Sequence, residues 1–323
     1  MEYRSLGRSG VKVSPLCLGT MQFGWTADEK TSFEVLDAAY DAGINFMDTA
    51  DIYSRWIEGN PGGVSENIIG KWLRKHPDKR AQIILATKVR GRMGEGPNDE
   101  GLSRKHIFSA VDQSLKRLGT DYIDLYQVHW PDEGTPIEET LRALDDLVRD
   151  GRVLYIGCSN YPAWRLMESL WTSDDCRLTS FISIQPHYNL VHRDEFEREL
   201  EEVCLKFGIG VIPYSPLAGG FLTGKYSGDH APPEGSRGAT SDRIQAYLKA
   251  PHSLSTLEIV KQVAQETKRT PSQVALRWLI SRHAVVSAII GPRDLKQLED
   301  NIGCLSVELP DEAMQRLDEG SAW

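Results

Sequence analysis

The 323-residue sequence has no CxxC pair, and its five cysteines, Cys17, Cys158, Cys176, Cys204 and Cys304, are scattered and odd in number. That spacing excludes a disulfide framework and a cysteine zinc site, and a reducing cytoplasm is the expected setting. The eight histidines form neither HxH nor HExxH, so a metal-dependent barrel hydrolase lacks a ligand set and no metal is expected. Neither GxGxxG nor GxxxxGK[ST] occurs, which removes the Rossmann and P-loop modes of nucleotide binding. Basic excess is missing too. A net charge of -9 excludes the electrostatic footprint of a nucleic-acid binder. No apolar run approaches the roughly 18 residues needed to span a bilayer. The start, MEYRSLGRSGVKV, carries charges where a leader needs an apolar core. A soluble protein without a membrane partner or leader is expected.

What is present is an ordinary folding composition, 40% hydrophobic and 26% charged, with 8 Trp, 11 Tyr and 8 Phe. The length suits two average domains or one large barrel. Short apolar runs alternate with helical segments along the chain. Counting LCLG, INFM, IILAT, YIDLYQVH, VLYIGCS, SFISIQ, GVIPYS and SAIIG gives eight strands, each followed by helical spacing. Phe33, Leu36 and Tyr40 make one stripe; Ile107, Val111, Leu115 and Leu118 another; Ile137, Leu141, Leu144 and Val148 a third. Thr270, Pro271 and Gln273 form a capping box with proline at the first helical position. Gly43, Gly119, Gly151 and Gly208 fall where helices end. The expected architecture is an α/β (β/α)8 TIM barrel with an N-terminal β-hairpin and extra helices near the C-terminus. Without a composition break, residues 1–323 read as one domain. The Pro-, Gly- and Ser-rich stretch at 229–242 reads as a long loop after strand seven and a candidate lid.

In such a barrel the C-terminal strand ends face the active-site mouth. Asp48 and Tyr53 follow strand two, Lys88 strand three, His129 strand four, Ser159 and Asn160 strand five, Gln185 strand six, and Tyr214 strand seven. Each alone has an ordinary alternative: a turn-capping aspartate, a solvated lysine, a satisfied core histidine, a packed aromatic with a wet hydroxyl. Together, ionisable groups at three successive strand ends are a costly accident in a packed interior.

The segments DTADIY, ATK and QVH resemble the four-part catalytic site of the aldo-keto reductases, with Asp48, Tyr53, Lys88 and His129 on the family's Asp, Tyr, Lys and His positions. LGTMQFG, GCSN, SIQPHYN, YSPLAGGFLTGKY and GPRDLKQLEDN are similar to further family segments in family order, so the resemblance covers nearly the whole chain. It implies reduction of an aldehyde or ketone to an alcohol with NADPH, bound extended across the mouth. It also implies that Gly19, Thr20, Met21 and Asp48 border the cofactor, and that Ser159, Asn160 and Gln185 hydrogen-bond its carboxamide. Tyr214 would stack on the nicotinamide, while Ser215, Pro216, Leu217, Ala218 and Gly219 line the pyrophosphate, with Lys225 either a nearby cation or simply solvated. Gly291, Arg293, Gln297, Asp300 and Asn301 would hold the adenosine half, Arg293 taking the 2'-phosphate. Asp300 stands where the family usually has Glu.

The chemistry fits the residue types. Carbonyl reduction needs a hydride and a proton for the developing alkoxide. Tyr53 can donate the proton, Lys88 should lower its pKa, Asp48 should pair with Lys88, and His129 should orient the carbonyl. Trp25, Trp56 and Trp130 either wall an apolar substrate pocket or pack under loops. The stretch at 54–63, SRWIEGNPGG, is longer than in many relatives and is where substrate preference is expected. Trp323 either reaches over the mouth or is free. A second reading, from a different class, is a nicotinamide-binding regulatory or sensor subunit with little turnover. The substrate is expected to be a small carbonyl compound; monomer and homo-oligomer both remain open.

Overall fold

The computed structural model describes residues 1–226 and 241–323. A two-stranded hairpin, β1 (Arg4–Ser5) and β2 (Lys12–Val13), comes first and pairs antiparallel. Then strands and helices alternate: β3 (Leu16–Gly19), α1 (Glu29–Asp41), β4 (Phe46–Asp48), α2 (Val64–Lys75), β5 (Ile84–Val89), α3 (Arg104–Leu118), β6 (Ile123–Val128) and α4 (Ile137–Arg149). The alternation continues with β7 (Val153–Ser159), α5 (Ala163–Asp175), β8 (Ser183–Gln185), α6 (Asp194–Glu197), α7 (Leu200–Phe207) and β9 (Gly210–Val211). It ends with α8 (Asp242–Lys249), α9 (Pro251–Thr267), α10 (Pro271–Ile280), β10 (Ala288–Ile290), α11 (Leu295–Ile302) and α12 (Asp311–Gly320).

The eight strands from β3 to β10 form one parallel sheet in the order β10-β3-β4-β5-β6-β7-β8-β9. Its two edges meet through Val286 N donating to Val211 O (2.9 Å) and Ile289 N donating to Pro213 O (3.0 Å), so no sheet edge is left open there. This is a (β/α)8 barrel, as expected. Strands covered on both faces have to be apolar throughout, and LCLG and IDLYQV are buried at every position. Leu6 and Val13 of the hairpin pack with Cys17, Phe46, Ala86, Leu125, Ile182 and Ile212, plugging the barrel interior. That closes the end opposite the mouth.

Local signals act as their chemistry requires. The Thr270–Gln273 capping box is complete at the start of α10, and Gly119 and Gly208 end α3 and α7 in the left-handed region (φ 65° each). One expected helix, over RDEFERELEEVCLKFG, is two: Glu199, at φ -142°, separates α6 from α7. Trp323 lies against α6, its Nε1 donating to Glu197 Oε2 (3.4 Å) beneath Arg198, rather than over the mouth or free. The lid reading at 229–242 falls almost wholly outside the described residues. No helix among the described residues is long and apolar enough to cross a membrane.

Candidate active site

Parallel strands put their C-terminal ends on one side, and there the chain leaves a cavity of about 1030 Å³. Asp48, Tyr53 and His129 line it, with Lys88 buried directly beneath. Asp48 ends β4 and is 1% exposed. Its Oδ2 accepts from Lys88 Nζ (2.5 Å), and its Oδ1 accepts from Gln127 Nε2 and Gln185 Nε2 (2.9 Å each). Lys88, fully buried, uses its other two protons on Thr49 O (2.8 Å) and the Tyr53 hydroxyl (3.0 Å). The consequence is directional. Because Tyr53 oxygen accepts from Lys88, its own proton must point elsewhere, and no acceptor for it lies among the described residues.

Burial pulls the Lys88 ammonium toward deprotonation, but Asp48 and Tyr53 outweigh it, and its pKa lies above the ordinary lysine value. The Tyr53 phenol departs from expectation. Lys88 does pull its pKa down, yet burial is the larger effect and the phenol ends above 10.0. His129 is held neutral, its pKa well below 6.5, by burial and then by the nearby cations Lys88 and Arg90. Its ring lies flat against Trp130 (3.8 Å between centroids, 12°) and edge-on to Tyr53 (6.0 Å).

The other strand ends are cross-tied. Asn160, left-handed at φ 59°, donates from Nδ2 to His129 O (3.0 Å) and accepts from the Tyr214 hydroxyl (2.9 Å). Ser159 Oγ donates to Gln185 O (2.8 Å). Tyr214 stacks on His187 (5.2 Å, 12°), which stacks on His192 (3.9 Å). Further along the cavity lie Gly19 at the end of β3, Thr20 and Met21 after it, then Ser215, Pro216, Leu217, Gly219 and Lys225. Within this second stretch, the loop at 215–220 has four residues with positive φ: Ser215 (54°), Ala218 (50°), Gly219 (68°) and Gly220 (101°). Two of them carry side chains, so the surrounding fold holds the loop in a strained form. Gly291, Arg293, Gln297, Asp300 and Asn301 also line the cavity. Asp300 ties α10 to α11 by accepting from Thr270 Oγ1 (2.8 Å).

Two of the expected residues lie outside the cavity lining: the Ala218 side chain is fully buried in the core, and Trp25 meets Trp56 edge-on at 5.5 Å, the loop-packing alternative. Trp56, from the stretch at 54–63, and Trp130 do line it. Sequence reasoning overlooked Gln127, which shares Asp48 with Gln185, and Gln22, whose Nε2 donates to Gly291 O (2.6 Å). It also overlooked Arg243 and Lys296, two further cations of the cavity wall. Gln127 was findable: two residues before His129 in a strand, it shares that face.

The chain's residues 15–322 match the model of the Aldo/keto reductase family. "Uncharacterized oxidoreductase YrpG" of Bacillus subtilis (strain 168) is 40% identical, covering 99% of this chain and 95% of that protein. "Putative voltage-gated potassium channel subunit beta" of Schizosaccharomyces pombe is 36% identical over 98% and 92%. "Versiconal hemiacetal acetate reductase" of Aspergillus parasiticus is 35% identical over 99% and 96%.

Proposed function

Because this chain belongs to the aldo/keto reductase family, we propose that it is an NADPH-dependent oxidoreductase that reduces an aldehyde or ketone to an alcohol. The observation that carries this is the Lys88 ammonium with all three protons committed, one of them to the oxygen of Tyr53, which lines the cavity and keeps its own proton for donation. Tyr53 donates that proton to the carbonyl oxygen, while neutral His129 orients the oxygen. Asp48 keeps Lys88 charged, and Lys88 draws the phenol's acidity back against burial. When bound, the nicotinamide would supply the hydride. The residues fit such a group. Tyr214 offers a ring platform backed by His187, the strained loop at 215–220 offers backbone amides, and Arg293 and Lys296 offer cations for phosphate. Trp56 and Trp130 give the substrate an apolar wall.

Mixing purified protein and NADPH with a panel of aldehydes, ketones and sugars, and following cofactor absorbance, tests this directly; NADH serves as the comparison. The S. pombe relative's name, a channel beta subunit, supports the alternative of a regulatory subunit with little turnover. Cofactor binding without turnover on the whole panel would favour it.

Two quantitative outcomes are expected. Arg293→Leu should weaken NADPH binding by about 10- to 100-fold, the loss of one charge-assisted hydrogen bond, while NADH binding changes little. Equal weakening of both would remove the 2'-phosphate role. The pH dependence follows from Tyr53, which must be protonated to donate and whose pKa is raised by burial against Lys88. Reduction should therefore be level through neutrality and fall only above about pH 10. An inflection near pH 8 would contradict a phenol donor.

A further inference from the structure

We propose that Trp130 is a positioning residue, holding the His129 imidazole in its working plane by stacking where a hydrogen bond through Nδ1 would ordinarily do so. This rests on the reading that His129 orients the substrate carbonyl.

A histidine's reactive nitrogen is normally aimed by a hydrogen bond through its other nitrogen. Here Nδ1 is buried and has no partner among the described residues. The backbone is well held, with His129 N donating to Val89 O (2.9 Å) and Asn160 Nδ2 donating to His129 O (3.0 Å). That leaves the imidazole torsion, which is broad for histidine and is fixed by neither bond. Two rings confine it: Trp130 lies parallel within 12° at 3.8 Å, and Tyr53 is edge-on at 6.0 Å. Neighbouring residues in a strand point to opposite faces, but β6 ends at Val128, so the chain is free to fold the indole over the imidazole. A proton on Nδ1 would be a buried donor without an acceptor, a rarer and costlier state than an unmatched lone pair. The proton accordingly sits on Nε2, the nitrogen available to a carbonyl oxygen.

The indole also keeps the ring dry. Around the imidazole stand Lys88 from β5, Arg90 just beyond it, and Tyr53 from the turn after β4. Burial opposes an imidazolium most, and both cations add to it.

The test uses Trp130→Leu and Trp130→Phe in the full chain, with an aldehyde too small to reach the wall. Trp130→Leu should lower kcat about 10- to 100-fold with KM little changed, as expected for a misplaced catalytic group. Trp130→Phe, which restores a flat ring, should recover most of that loss. The His129 imidazole, followed by NMR, should titrate well below the ordinary imidazole value of about 6.5 in the parent and closer to it in Trp130→Leu. NADPH binding by fluorescence checks that each variant is folded. A raised KM with unchanged kcat and an unmoved His129 signal would overturn the proposal and leave Trp130 a pocket wall. Failure of the underlying reading looks different: the parent shows no NADPH-dependent reduction, or His129→Ala turns over as fast as the parent.

Discussion

Tyr53→Phe should lower carbonyl reduction by about 10²- to 10⁴-fold, the usual contribution of a positioned general acid, while NADPH binding stays nearly unchanged. The substitution removes one oxygen. That oxygen accepts from Lys88 Nζ (3.0 Å), but Lys88 keeps Asp48 and Thr49 O, so the buried ammonium is still paired. The ring remains to hold its edge contacts with His129 and Trp56. Shape is conserved and the proton is gone. Such a variant separates proton donation from packing, because a loss confined to kcat marks an interaction made only in the transition state. Turnover within a few-fold of the parent, measured by cofactor absorbance, would remove Tyr53 from the chemistry.

Much of this site was legible because barrel geometry converts sequence position into spatial position. A residue at the end of an apolar run is at the mouth, so DTADIY, ATK and QVH could be superposed without knowing any distance. Gln127 was legible by the same period-two rule, one pleat inside the strand end that His129 marks. Arg243 had no such signal. It lies beyond residues 227–240, outside any repeated strand-and-helix unit, and only tertiary packing brings α8 to the cavity. The break at Glu199 was hidden for a related reason: RDEFERELEEVCLKFG contains no proline or interior glycine to announce it. The acidity of Tyr53 is not legible in the sequence. Sequence can place a lysine beside a phenol, but the balance depends on how completely both are removed from water, and here burial is the stronger influence.

The same dryness makes Asp48 the residue on which the site's stability turns. Asp48→Leu should destabilise the protein by about 3–5 kcal/mol, because it leaves the fully buried Lys88 ammonium without its counter-ion. Gln127 and Gln185 would also lose their shared acceptor. The double variant Asp48→Leu/Lys88→Met should recover most of that stability, since removing both charges of a buried pair is often neutral, while activity stays lost. The pH signature separates this account from simple misfit. In the parent, the Lys88 pKa is raised, so its contribution is present in full below about pH 10.4 and is lost only as pH rises through the higher folded value. Without Asp48, burial is the dominant influence and the folded pKa falls below the unfolded one. The unfolded state then binds more protons, so the stability of Asp48→Leu should rise with pH up to the unfolded lysine value of about 10.4. Denaturant midpoints across that range would show it. A variant whose stability stays flat in pH would mean that Lys88 finds another partner, and that Asp48 matters for the shape of the barrel mouth more than for its charge.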